Sequence, residues 1–175
     1  ILDALPEHLL LPDPRKKGLV PVGNSAHLQE IQPLDAVFPV LHGTYGEDGT
    51  LQGLFELADL PYVGAGVLGS ALGMDKVVQK QLLRHARIPV VPDVWFLYAD
   101  YRRRTRPWIA RIEKTLGYPC FVKPPNLGSS IGITKAHNRR ELLQAIDLAG
   151  EYDRKVLVEW AVRNAREISA VSWAT

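Results

Sequence analysis

Lys123-Pro124-Pro125-Asn126-Leu127-Gly128-Ser129-Ser130-Ile131-Gly132 is the stretch that decides the fold. The β-rich run Cys120-Phe121-Val122 leads into it, and a second β-rich run, Ile131 to Lys135, leads out. The pattern is strand, polar glycine- and serine-rich loop, strand, with a cation fixed at the entrance. Such a loop can close over a polyphosphate. Glycines admit the backbone, amides and hydroxyls donate to phosphate oxygens, and lysine adds a point charge. It is not a Walker A loop, because no Gly-Lys-Ser/Thr follows the glycines and a strand comes next instead of a helix. On local pattern alone, a plain hairpin with a serine tip is the alternative.

The chain has 175 residues, enough for one large domain or two small ones. Its 46% hydrophobic and 23% charged residues are those of an ordinary globular protein. A net charge of +2 argues against a dedicated nucleic-acid binder. Arg15-Lys16-Lys17 and Arg102-Arg103-Arg104 read as solvated loop faces. The single cysteine, Cys120, sits in an apolar run, which fits a reducing cytoplasm and not a catalytic thiol. No signal peptide and no apolar run of spanning length is present, so neither export nor membrane spanning is expected. The abrupt ends, without an initiator Met, suggest a piece of a longer protein.

Residues 1 to about 33 read as a loop-rich connection. Asp35 to Leu41 reads as a short buried strand, with the polar loop His42-Gly43-Thr44-Tyr45-Gly46-Glu47-Asp48-Gly49 at its carboxyl end. A helix follows over Thr50 to Ala58, then a short strand at Pro61 to Gly64. Strand, loop, helix, strand is an α/β unit with its loop where ligands usually bind. Gly64 to Gly73 reads as a hinge. Beyond it the spacing predicts helices over Asp75 to Ala86, Pro107 to Leu116 and Asn138 to Gly150. Strands are predicted at Val94 to Tyr98, around the Lys123 loop, at Lys155 to Glu159 and at Arg166 to Trp173. The second region is therefore α+β, with antiparallel strands.

Four motifs stand in order: His42-Gly43-x-x-Gly46-Glu47-Asp48-Gly49-x-x-Gln52-Gly53, Met74-Asp75-Lys76, Lys123 to Gly132, and Val156-Leu157-Val158-Glu159 followed by Arg166-Glu167. Over about residues 35 to 175 this ordered set resembles the D-alanine–D-alanine ligases of the ATP-grasp superfamily. The resemblance implies a fold of two parts. Residues 1–66 would be the carboxyl-terminal part of a small parallel-sheet, Rossmann-like substrate-binding domain. Residues 67–175 would be the ATP-grasp central subdomain with its antiparallel sheet, the second ATP-grasp subdomain being absent.

It further implies ATP-dependent joining of two D-alanines through a D-alanyl phosphate, for peptidoglycan synthesis in the cytoplasm, by what is commonly a homodimer. Lys76 and Lys123 would contact the α- and β-phosphates, and Gly128, Ser129 and Ser130 would cover them. Ser129 would also position the first substrate. Glu159 would accept from the adenine amino group, backbone groups from Trp160 to Val162 would line the adenine slot, and Glu167 would accept from the ribose. Trp160 departs from the charged residue that many relatives carry after this glutamate. His42 would lie near the acylphosphate and the second substrate, oriented by Glu47, with a structural histidine as the rival reading. Asp48 and Gly49 would shape the turn, and Gln52 and Gly53 would begin the helix and pack.

The family's substrate-orienting glutamate, mobile-loop tyrosine, oxyanion-hole arginine and acidic ligands for Mg2+ or Mn2+ have no counterpart in these residues. The piece alone is therefore expected to be inactive, with no metal ligand to name. D-lactate or D-serine as the second substrate stays open, as does a nucleotide-binding module without catalysis.

Overall fold

The computed structural model describes residues 7–22, 31–128, 131–166 and 168. They fall into two compact units, Ile1–Gln79 with Asn126–Ser129, and Lys80–Pro125 with Ser130–Thr175.

In the first unit, β1 (His8–Leu10), β2 (Gly18–Pro21) and β3 (Gln32–Pro33) form a small antiparallel sheet in the order β1-β2-β3. The expected loop-rich connection is thus partly a sheet. Its strands are two to four residues long, too short for alternation to register in the sequence. Gly18 is required in β2, because an added Cβ would lie 2.2 Å from the Gln32 carbonyl oxygen.

The expected buried strand over Asp35 to Leu41 is reduced to one parallel bridge, Val37 to Tyr62. Pro39 has no amide to pair, and Phe38, Val40 and Leu41 are exposed. Helix α1 (Thr50–Leu57) follows as predicted and buries Phe55 near Tyr62, with ring centroids 5.3 Å apart. The stretch read as a hinge contains helix α2 (Val67–Met74), whose Val-Leu-Gly-Ser-Ala-Leu-Gly-Met sequence carries two weak helix formers.

Helix α3 (Lys76–His85) starts at Asp75, whose carboxylate accepts from the Val77 and Val78 amides at 3.0 and 3.2 Å. The unit division falls inside this helix.

The second unit is built on one antiparallel sheet in the order β4-β7-β5-β6, from β4 (Asp93–Leu97), β5 (Cys120–Lys123), β6 (Thr134–Ala136) and β7 (Lys155–Trp160). Strand alternation sorts its side chains onto two faces. Val94, Phe96, Cys120, Val122, Ala136, Val156 and Val158 are buried on one face. They share a core with α5 (Thr105–Thr115), through Ile109 and Ile112, and with α6 (Arg139–Tyr152), through Leu142, Ala145, Ile146 and Ala149.

Asn138 caps α6 as predicted, its side chain accepting from the Glu141 amide at 3.0 Å, while Glu141 accepts from the His137 amide at 2.9 Å. This is a reciprocal cap of the capping-box kind. Gly117, at φ 65, ends α5. The short helix α4 (Tyr98–Arg103) follows directly from β4, where the sequence suggested only a loop. Of the strand predicted over Arg166 to Trp173, only residues 166 and 168 are described, so it lies almost wholly outside the described residues.

Candidate active site

The opposite sheet face of the second unit carries charge. The register sets Asp93 of β4 directly across from Glu159 of β7, and Glu159 across from Phe121 of β5. Lys123 lies opposite Leu157, two residues before Glu159, and so points to the same face. Glu159 is thereby placed between two cations: Lys80 of α3 pairs with its Oε1, and Lys123 with its Oε2.

Lys80 also lies 3.4 Å from Asp93 Oδ1, and Arg84 pairs with the same oxygen. All but Arg84 are largely withdrawn from water, with side-chain exposures of 9% for Lys80, 3% for Asp93, 14% for Glu159 and 19% for Lys123. Burial pushes the Glu159 carboxyl up, but hydrogen bonds from Lys123 and Lys80 pull it down, and the balance lies below the ordinary carboxylate value. Three cations face two carboxylates, which leaves the cluster one positive charge in excess and suited to an anion. At the far side of the sheet Lys135 lies 5.6 Å from the centre of the Phe121 ring.

Trp160 ends β7 at 38% exposure, and its amide donates to the Pro92 carbonyl at 3.0 Å. The Ala161 amide donates to the Pro119 carbonyl at 3.2 Å. Val162, next along, is 45% exposed.

In the first unit, His42, Glu47, Lys76 and Gly128 line one cavity of about 660 Å3. Lys76 Nζ donates to the Leu127 carbonyl at 2.7 Å, which holds the lysine against the loop that carries Gly128. His42 Nδ1 stands 3.8 Å from Glu47 Oε1, and the His42 side chain is 81% exposed, unlike a histidine held in a core. Glu47 Oε2 accepts from the Gly43 amide at 2.6 Å.

Asp48 shapes the turn by accepting from the amides of Tyr45 and Thr50 at 2.8 and 2.9 Å. Gly49 is required there, since its φ is 94 and an added Cβ would lie 2.7 Å from the Val67 carbonyl oxygen. Tyr45 adopts φ 69 without being glycine, a strained conformation of a kind that concentrates at functional loops.

Of the residues predicted from sequence, Lys123 and Glu159 are brought together, with Trp160 and Val162 following on the same strand and its exit. His42, Glu47, Lys76 and Gly128 are brought together in the other unit. Ser129, Ser130 and Glu167 lie outside the described residues.

Sequence reasoning missed Lys80, Asp93 and Arg84. A signal existed for Lys80, because Val77, Lys80 and Leu83 repeat every three residues on α3, so the lysine falls in an apolar row. Gln52 packs as expected, with its side chain buried. Its amide nitrogen donates to the Gly46 carbonyl at 2.9 Å, while its Oε1, buried at the cavity wall, has no hydrogen-bond partner among the described residues.

Residues 7–65 match the family model described as D-ala D-ala ligase N-terminus, and residues 82–172 match that described as D-ala D-ala ligase C-terminus. A D-alanine–D-alanine ligase of Bacillus velezensis is 54% identical over 139 residues, covering 79% of this chain and 39% of that protein. One from Chloroherpeton thalassium is 56% identical over 135 residues, covering 77% of this chain and 37% of that protein. Among solved structures, the VanG D-Ala:D-Ser ligase of Enterococcus faecalis has a TM-score of 0.77 at 42% identity, covering 90% of this chain and 43% of that one. The D-alanine–D-alanine ligase of Helicobacter pylori has a TM-score of 0.76 at 28% identity, covering 93% of this chain and 48% of that one. The chain spans about two fifths of the length of the curated relatives it matches.

Proposed function

This chain belongs to the D-alanine–D-alanine ligase family, and on that premise we propose that its protein joins two D-alanines with ATP to supply a peptidoglycan precursor. A carboxylate is a poor electrophile. In the proposed reaction a carboxylate oxygen of the first D-alanine attacks the γ-phosphorus and ADP leaves, giving D-alanyl phosphate. The amine of the second D-alanine, having lost a proton, attacks the carbonyl carbon. The tetrahedral intermediate expels phosphate and leaves the dipeptide. The protein's share is to neutralise phosphate charge, align the reactants and exclude water.

The observation that carries this reading is the Lys123–Glu159 pair, which puts a cation for phosphate and an acceptor for a base on one charged sheet face. Glu159 accepts from the adenine amino group, a charge-assisted bond stronger than a neutral one. The Trp160 and Ala161 amides are already committed to Pro92 and Pro119. The Val162 amide is therefore the one in this stretch assigned to an adenine ring nitrogen, with Trp160 lining the slot. Glu167 is assigned to the ribose.

Lys76 and Lys123 hold the α- and β-phosphates under Gly128, Ser129 and Ser130, with Ser129 also positioning the first substrate. His42, steered by Glu47, lies at the acylphosphate and the second substrate. Residues 1–66 are assigned to the substrate-binding domain, with the parallel-sheet arrangement of its family, and 67–175 to the nucleotide-binding domain.

Among the described residues no three His, Cys, Asp or Glu side chains converge to hold a metal ion. The divalent metal that the family uses is accordingly assigned no ligand from them, and no step is routed through it. No helix among the described residues is long and apolar enough to cross a membrane. We place the protein in the cytoplasm, where ATP is, as a homodimer.

The likeness to a D-Ala:D-Ser ligase favours one second reading, in which D-serine replaces the second D-alanine. The test is phosphate release from ATP by the full-length protein, with D-alanine alone or with D-serine or D-lactate added, beside Lys123→Ala. Release that needs D-alanine, yields the dipeptide and falls by about a hundredfold or more in the variant is expected. Release that needs a mixed pair moves the assignment to the second reading. ATP binding with no release under any pair overturns both.

A further inference from the structure

Glu159 presents a problem that the proposed nucleotide site does not solve by itself. Each of its carboxylate oxygens already pairs with a cation, Oε1 with Lys80 and Oε2 with Lys123. The adenine amine needs one of them, and the phosphates need Lys123. If Lys123 serves the phosphates, as proposed, nucleotide entry draws it off Oε2 and leaves that oxygen to the adenine amine. That exchange replaces a cation by a neutral donor on a carboxylate only 14% exposed, which sits directly across the sheet from a second carboxylate, Asp93. Like charges directly opposed on neighbouring strands destabilise the pair. A half-buried carboxylate that loses its cation tends to take up a proton, and a protonated Glu159 could donate where it must accept.

Lys80 is placed to prevent this. It sits between the two carboxylates, paired with Glu159 Oε1 and 3.4 Å from Asp93 Oδ1, on a side chain only 9% exposed. Arg84, one turn later on the same helix, holds Asp93 from outside. The groups that face Glu159 are thus Lys80 from α3, Lys123 from β5 and Asp93 from β4, with Arg84 acting through Asp93. Lys123, at a strand end and 19% exposed, is the partner able to leave, and Lys80 is the one that stays.

Resting on the reading of Glu159 as the adenine acceptor, we propose that Lys80 is a positioning residue for nucleotide recognition, the permanent counter-ion that keeps Glu159 ionised and aimed once Lys123 has transferred to the phosphates. It touches neither base nor phosphate in this role. Its removal should therefore degrade the choice of base, and leave phosphate binding to Lys76 and Lys123.

The experiment compares ATP with purine riboside triphosphate, which lacks the amino group, as substrates of the full-length protein and of Lys80→Met, Lys80→Arg and Glu159→Gln. Folding of each is checked by circular dichroism. For Lys80→Met the KM for ATP should rise about tenfold or more, by a larger factor than kcat falls, while the KM for the analogue moves little and the preference for ATP collapses. Lys80→Arg should restore most of the preference. The defect in Lys80→Met should deepen as pH falls, since burial, no longer opposed by Lys80, favours the protonated carboxyl of Glu159.

If Lys80→Met does not fold, the double variant Lys80→Met with Asp93→Asn removes the opposed charge, and the same loss of preference is expected of it. Full preference for ATP in a folded Lys80→Met or in the double variant, with Glu159→Gln abolishing it, overturns the role of Lys80 alone. Full preference in Glu159→Gln overturns the adenine reading itself and this inference with it.

Discussion

Two lysines meet one carboxylate at Glu159, and the residues around them make them unequal. Lys123 closes β5 at the entrance of the glycine- and serine-rich loop; its local pattern left a plain hairpin open, and the ordered set of motifs supplied its expected role. Lys80 left only a weak trace, its place in the apolar row of α3, because a helical lysine ordinarily faces water; its burial depends on Asp93 of the next strand and on the distant Glu159. The turn at 42–49 shows the complementary case. Its glycines were visible in sequence, but which of them the backbone requires depends on neighbours. Gly49 has both a left-handed φ of 94 and the Val67 carbonyl 2.7 Å from an added Cβ. Gly49→Ala should therefore lower stability by about 1–3 kcal/mol, measured by urea unfolding. Gly53, helical and with nothing within 4 Å, should tolerate alanine or gain slightly, so equal effects at the two positions would contradict this account.

At the scale of elements, the helices that carry their own signals were the readable ones. Helix α6 announces itself by Asn138, Glu141 and the apolar row Leu142, Ile146 and Ala149. Asn138→Ala should cost about 1 kcal/mol, whereas Ile146→Ala, fully buried against the sheet, should cost about 2–5 kcal/mol. Thermal melting of the two variants checks the order, and a cap variant as damaging as the core variant would refute it. Helix α2 reads as a hinge in the sequence because its two glycines mask an apolar run, and α4 follows a strand without any breaker to mark the change. The β1-β2-β3 sheet escaped notice because its strands hold together by pairing, and pairing leaves no periodic trace in two to four residues. The run Phe38 to Leu41 misled in the other direction: it is apolar enough for a buried strand, yet those apolar side chains stay exposed save for Pro39.

Across the molecule, carboxylates held by donors set the response to acid. Asp13, beside Arg15, is lowered to about 2. Asp48 ends below its ordinary value despite burial, through the Tyr45 and Thr50 amides. Glu113, hydrogen-bonded by Arg139, Glu141, bonded by His137, and Glu159 are likewise lowered. A depressed carboxyl contributes stability that is fully present above its unfolded value, 4.5 for Glu and 3.8 for Asp, and is lost as pH falls through the folded one. Stability should thus be nearly constant from pH about 7 to about 5 and fall below about 4, chiefly through Glu159, since solvent screens the exposed carboxylates. Urea midpoints followed across that range test this, and a midpoint unchanged at pH about 3 would contradict it.

The strand order β4-β7-β5-β6 bears on how the protein is made. Synthesis delivers β4 and β5 well before β7, the strand that belongs between them. Until β7 is inserted, two strands rich in buried residues, with Val94 and Phe96 on one and Cys120 and Val122 on the other, have inner edges whose amides and carbonyls lack their partner. Open apolar edges of this kind recruit other chains. Closing the gap spans more than fifty residues and is correspondingly slow. Among the described strands, the last to arrive is also the one that carries Glu159. A nascent chain that inserts β7 therefore closes both open edges in one event, and sets Glu159 beside Lys123 in the same step.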